Sequence, residues 1–112
     1  MKKFLVLYMA PASAMEQMSK ATPDEMKTVM NDWTRWGKQN QNAIADMGSP
    51  LAKTKRITSA GTTDAKNELG GYSVIEGESL ESVAGMFHGH PHLKIEGASI
   101  EVVECMSMGM YG

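Results

Sequence analysis

The residues best suited to chemistry are concentrated in one segment, where three histidines lie within five residues. His88, His90 and His92 are the only histidines of the chain, and Pro91 stands between the last two. An imidazole titrates near neutral pH, so one of these side chains could take or give a proton toward a bound molecule. We therefore predict that His90 and His92 are catalytic and that His88 contacts the ligand.

Two other interpretations of the histidine segment remain open. Gly89 and Pro91 are residues that end a helix, so the imidazoles could satisfy its last carbonyl groups and the negative end of its dipole. Three imidazoles could also hold a metal ion with one open position, but Pro91 fixes the turn and adjacent side chains rarely converge. We predict no metal site and no cofactor.

Aromatic residues are the second group that could build a pocket. Trp33 and Trp36 lie three residues apart on a predicted helix, and Tyr72 lies on a predicted strand. Aromatic rings line many ligand pockets, so we expect these three residues to contact the ligand. Packing in the core is the alternative, since aromatic residues at helical spacing are usually buried.

The C-terminal tail carries sulfur at regular intervals. Cys105 is followed by Met106, Met108 and Met110 at alternate positions. Soft sulfur ligands favour Cu(I), so a copper-handling protein is a minor alternative. A strand that continues past its sheet produces the same spacing.

Composition excludes several classes of protein. The 112 residues are enough for one domain, 1–112, and carry a formal charge of −2 with no basic block, which argues against nucleic-acid binding. The single cysteine excludes an internal disulfide and fits a cytoplasmic protein. No apolar run approaches the ~20 residues of a membrane span, and we interpret the short apolar run at 4–9 as a strand rather than a secretory signal.

The elements that must position these residues follow in the order β-α-β-β-α-β. Apolar runs and turn residues predict four strands, at 3–9, 51–59, 71–76 and 98–104. Thr22-Pro23-Asp24-Glu25 starts a first helix that runs to Met47, and Ser79 starts a second that ends at Gly89. Segments 10–21 and 60–70 are predicted to be loops.

This order predicts an α+β, ferredoxin-like fold, with a four-stranded antiparallel sheet and two helices on one of its faces. The first strand is apolar on both faces, although the helices can cover only one. A second copy of the chain is the simplest cover for the other face, so we predict a homodimer.

Several short motifs occur together along the chain. They are KKFLVLYM at 2–9, TPDEM at 22–26, WTRW at 33–36, GSPL at 48–51, ELGGYSVIE at 68–76, ESLESV at 78–83, HPHL at 90–93 and IEV at 100–102. In this order and spacing, the chain resembles the YCII-related (DGPF-type) family over nearly its whole length. The resemblance implies a dimeric α+β barrel, in which two ferredoxin-like sheets pair face to face.

The chain departs from the family pattern at functional positions. The Asp-Gly-Pro-Phe signature would fall near 59–62, where the chain reads Ser-Ala-Gly-Thr. Some relatives carry a His–Asp pair proposed to be catalytic, but the first helix here has no histidine, and His90 stands at the position of the aspartate. The pair cannot be transferred to this chain.

The sequence thus predicts a small homodimer that binds a small organic molecule near His90, with cofactor-independent acid–base chemistry of the isomerase or lyase type. A non-catalytic ligand-binding or regulatory dimer is the main alternative.

Overall fold

The computed structural model describes residues 1–106. The strands are β1 (Lys2–Met9), β2 (Ile44–Pro50), β3 (Thr54–Thr58), β4 (Gly61–Ala65), β5 (Leu69–Gly77) and β6 (Ser99–Glu104). The α-helices are α1 (Ala12–Ser19), α2 (Pro23–Gln39) and α3 (Leu80–Gly85), and a short 3₁₀ helix spans Pro91–Lys94. None of the helices in this part of the chain is both long and apolar enough to cross a membrane.

The main sheet has four antiparallel strands in the order β2-β5-β1-β6. The first strand, β1, therefore lies inside the sheet, between β5 and β6. This topology confirms the predicted ferredoxin-like α+β fold. The strands β3 and β4 form a separate two-stranded hairpin.

The core lies between one face of this sheet and the helical layer. Phe4, Val6 and Tyr8 of β1 are at most 3% exposed, and they alternate with half-buried residues that point to the other face. The buried core cluster consists of Phe4, Val6, Tyr8, Trp36, Ile75, Val83 and Phe87.

The first long helix is shorter than predicted. It ends at Gln39, and Ile44–Pro50 is a strand at the sheet edge rather than the last turns of the helix. Ile44 and Met47 lie three residues apart, as helical core positions do, but β2 is irregular, and its register against β5 shifts twice. The predicted strand at 51–59 is present as β3, Thr54–Thr58, but it belongs to the hairpin and not to the main sheet, where its place is filled by β2.

Two segments predicted to be loops are ordered elements. Residues 12–19 form α1, directly after Pro11, whose fixed φ suits a helix start. Residues 61–65 form β4, which pairs with β3. Gly61 lies opposite Thr58 at one end of the pair, and Ala65 lies opposite Thr54 at the other. Neither face of β4 is buried, so its sequence lacks the alternation of apolar and polar residues by which strands are predicted.

The predicted start of the long helix is confirmed, and it allows a test. The Oγ1 of Thr22 accepts a hydrogen bond from the backbone N–H of Glu25 at 3.1 Å. Thr22→Ala removes this acceptor from the first turn, so we expect a loss of about 0.5–2 kcal/mol in the free energy of unfolding. Urea unfolding measures the loss. Thr22→Ser keeps the acceptor and serves as the control, and an unchanged denaturation midpoint for Thr22→Ala would contradict the prediction.

Candidate functional site

The His90 ring is the centre of an aromatic cage formed by Tyr8, Trp33, Trp36 and Phe87. The ring centroids lie 5.3, 4.5, 4.7 and 5.6 Å from that of His90, in that order. Tyr8 is stacked on the imidazole, whereas both tryptophans meet it edge to face. As a result, His90 is only 1% exposed.

Local structure explains why His90 takes this position. It is the N-cap of the 3₁₀ helix, and its Nδ1 accepts a hydrogen bond from the backbone N–H of His92 at 3.0 Å. Pro91 has no N–H, so the N–H of His92 is the first one that needs an acceptor. The sequence His-Pro-His thus encodes a cap, and the cap directs the His90 ring inward.

The hydrogen bond to Nδ1 also fixes the proton of the ring. Because Nδ1 accepts, the neutral imidazole carries its proton on Nε2. Burial, together with a smaller effect of the nearby His92, lowers the pKa of His90 to about 4. The ring is therefore neutral at pH 7, and its Nε2–H has no hydrogen-bond partner among residues 1–106.

His92 connects the 3₁₀ helix to the end of β1. Its Nε2 lies 2.8 Å from the carbonyl oxygen of Met9, to which it donates, and the residue is 6% exposed. Its ring lies 5.5 Å from that of Tyr8 and 6.4 Å from that of Trp33. Both predicted catalytic histidines thus lie together, and each uses one ring nitrogen to hold the fold.

Two hydrogen bonds in series link Tyr8, through Ser73, to the backbone of β2. Ser73 donates from its Oγ to the carbonyl oxygen of Met47 at 2.9 Å, so the Tyr8 hydroxyl, 3.0 Å from the same Oγ, is the donor to Ser73. Burial raises the pKa of Tyr8, which keeps its proton in place. Ser73 was not predicted, because a small polar residue in a strand is not distinctive in a sequence.

A cavity of about 130 Å³ lies beside His90. It is lined by Asp32, Arg35, Trp36, Gln39, Gly89, Pro91 and Lys94. Two of these residues are the chain neighbours of His90, and Trp36 is a member of its cage. We call this space the Trp36 cavity.

The rim of the Trp36 cavity is charged. Lys94 Nζ lies 3.1 Å from one carboxylate oxygen of Asp32, and Arg35 lies 3.9 Å from the other. Two cations thus share one carboxylate, which leaves one formal positive charge at the cavity. These three residues were not predicted, because charged residues along a helix are usually a solvated face.

The structure separates the remaining predicted site residues from this region. His88 is exposed in the turn after α3. Tyr72 is half-buried and follows the strand alternation of β5, so its side chain lies on the sheet face opposite to that of Ser73. Trp33 and Trp36 are thus the predicted ligand-contact residues that lie with His90 and His92.

The histidines do not converge on a common point. Among residues 1–106, no group of three or more His, Cys, Asp or Glu side chains could hold a metal ion. Cys105 is exposed, and Met108 and Met110 lie outside the described residues.

No protein-family model matches the sequence, and no curated protein matches it. Among solved structures, the chain is similar to 5-chloro-2-hydroxyhydroquinone dehydrochlorinase from Burkholderia phenoliruptrix AC1100, in complex with 2,5-dihydroxybenzoquinone. The TM-score is 0.50 at 16% sequence identity, over 100% of this chain and 99% of the other. At this identity the similarity concerns the fold, and the chain has a YCII-like α+β fold.

Proposed function

We propose that the protein is a YCII-related homodimer that binds a small, planar, acidic organic molecule in the Trp36 cavity. One observation carries this proposal: the buried, neutral His90 has an unpartnered Nε2–H, and its chain neighbours Gly89 and Pro91 line a cavity together with Trp36. A buried donor without a partner costs free energy, and a bound polar molecule that reached it would recover that cost.

The size of the cavity supports a ring-sized ligand. Its volume of about 130 Å³ is close to that of an engineered cavity of roughly 150 Å³ that binds benzene. Trp36 offers an aromatic surface on which a planar molecule could stack. The similar solved structure holds 2,5-dihydroxybenzoquinone, which is also small and planar.

The charge of the cavity supports an acidic ligand. Arg35 and Lys94 both approach Asp32, and their side chains are largely exposed, so they are free to turn toward an anion. A charge-assisted hydrogen bond from a guanidinium to a carboxylate or phenolate is among the stronger polar contacts in proteins.

Titration of the purified protein with 2,5-dihydroxybenzoquinone and with simple aromatic carboxylic acids tests binding. We expect saturable quenching of tryptophan fluorescence, and Arg35→Gln should weaken binding at least about tenfold, since a hydrogen bond to a charged group contributes roughly 1.5–3 kcal/mol. Lys27→Gln, an exposed change on the same helix but away from the cavity, is the matched control. Equal affinity of the two variants, or no saturation with any of these compounds, would refute the site.

Acid–base catalysis at His90 is the second candidate, favoured by the unpartnered Nε2 and by the enzyme activity of the similar protein. A ring whose pKa is about 4 is a weak base at neutral pH, so binding is the better supported function. Conversion of a bound compound, lost in His90→Asn while binding persists, would favour catalysis. Binding without conversion would favour the regulatory or carrier alternative.

The homodimer is supported by the sheet face that points away from α2 and α3. Its centre is apolar and half-buried, and we call it the open face; it consists of Leu5, Leu7, Met9, Tyr72 and Val74. The radius of gyration, 15.8 Å, exceeds the about 13 Å typical of a compact domain of this length. A face-to-face pair should bury more than ~1,000 Å².

Light scattering should therefore give twice the chain mass of 12.2 kDa. A mass of one chain at micromolar concentration would refute the dimer.

A further inference from the structure

The hairpin β3–β4, Thr54–Ala65, forms its own two-stranded sheet apart from the main sheet, and we call it the arm. All of its residues except the two at its base, Thr54 and Ala65, are exposed, and the apolar side chain of Ile57 is 79% exposed. An isolated two-stranded hairpin is marginally stable in water. Its stability therefore depends on a surface that covers it.

The arm and the two lysines that flank it, Lys53 and Lys66, differ in charge from the rest of the chain. Residues 53–66 hold four basic side chains and one acidic side chain, a formal charge of +3, whereas the other 98 residues hold seven basic and twelve acidic ones, a charge of −5. Asp64 pairs with Lys55 within the arm, so Lys53, Arg56 and Lys66 have no carboxylate partner between residues 53 and 66. An acidic surface is the complement of this element.

The open face provides such a surface. Asp46 lies opposite Val74 in the sheet, and Glu101 lies opposite Leu7, so both belong to the apolar face. Glu76 shares that face, where it lies opposite Lys3. The rim around the apolar centre thus carries three carboxylates, Asp46, Glu76 and Glu101, against one lysine, Lys3. We call it the acidic rim.

We propose that the arm of each copy packs along the border of the second copy's open face, beside the face-to-face contact, with Ile57 at the edge of the apolar centre and Arg56 at the acidic rim. This inference rests on the homodimer proposed above and names a contact that would hold it. The arm leaves the sheet between β2 and β5, at the end where Met9 pairs with Leu69. A two-fold axis makes the contact twice, since each copy offers both the arm and the face.

The test measures the dimer dissociation constant by sedimentation equilibrium for the full chain, at low and high salt. We expect Ile57→Asp to raise this constant at least tenfold. Arg56→Glu should also raise it and should weaken its dependence on salt. Lys27→Glu makes the same charge change at an exposed position outside the arm, and it should leave the constant unchanged. Circular dichroism checks that each variant is folded.

A charge exchange makes the test specific. Glu101→Arg alone should weaken the dimer. The double variant Glu101→Arg, Arg56→Glu should recover much of the lost affinity, because opposite charges again face each other, with their positions exchanged. If the arm variants dimerise like the wild type, the inference is wrong while the homodimer stands. If the wild type is a monomer at every concentration, both fail, and the ligand titration remains an independent test of the cavity.

Discussion

Acidification from pH 6.5 to pH 4 should remove roughly 3 kcal/mol from the free energy of unfolding through His90 alone. In the unfolded chain the imidazole has its ordinary pKa near 6.5, whereas burial lowers it to about 4 in the folded protein. Above pH 6.5 both states are neutral, and the stability is fully present. As the pH falls below 6.5, the imidazole binds a proton in the unfolded state but not in the folded state. The free energy of unfolding therefore decreases until the pH reaches the folded-state pKa of His90.

Urea unfolding at pH values from 7.5 to 4.5 measures this loss. His90→Asn keeps an acceptor for the His92 N–H but cannot titrate, so its stability should fall less steeply with acid than that of the wild type. His88→Asn removes an exposed histidine and should keep the steep wild-type dependence. The same pH dependence for His90→Asn and the wild type would mean that the buried ring titrates normally.

Gly48→Ala should destabilise the protein by about 3 kcal/mol or more, because strain and overlap add at this position. Gly48 has a φ of +73°, and a Cβ built on it would lie 1.8 Å from the carbonyl oxygen of Tyr72. That oxygen belongs to the backbone of β5, so it cannot move aside as a side chain could. The glycine allows the irregular strand β2 to approach β5.

Gly37→Ala is the matched control, with an expected effect of opposite sign. Gly37 lies inside α2, and an added Cβ would meet only the end of the Met47 side chain, at 3.6 Å. Replacing glycine by alanine in a helix should therefore stabilise the protein by about 0.5–1 kcal/mol. Thermal and urea unfolding measure the stabilities of the two variants. Similar stabilities for Gly48→Ala and Gly37→Ala would contradict the close approach of β2 to β5.

Local signals in the sequence were enough to predict several features of the fold. The apolar run of β1 predicted a strand, and Thr22 and Ser79 predicted two helix starts at which their side chains do accept from the first turn. The order of elements was then enough for the ferredoxin-like topology, since few arrangements of β-α-β-β-α-β avoid crossed connections.

Other elements depended on contacts that the sequence does not display. The segment from Ile44 has apolar spacing compatible with a helix or an irregular strand, and only pairing with β5 selected the strand. The strand β4 has no buried face, so no periodicity indicated it, and no local signal showed that β3 pairs with β4 rather than with β5.

The site divides in the same way. Residue types alone indicated His90, His92, Trp33 and Trp36, which do lie together. The enclosure of the His90 ring and its neutral state could not be predicted from the sequence, because the enclosing rings come from β1, α2 and the turn after α3, which are far apart in the chain. Burial and pKa follow from how these elements pack, and packing over such separations leaves no local pattern in a sequence.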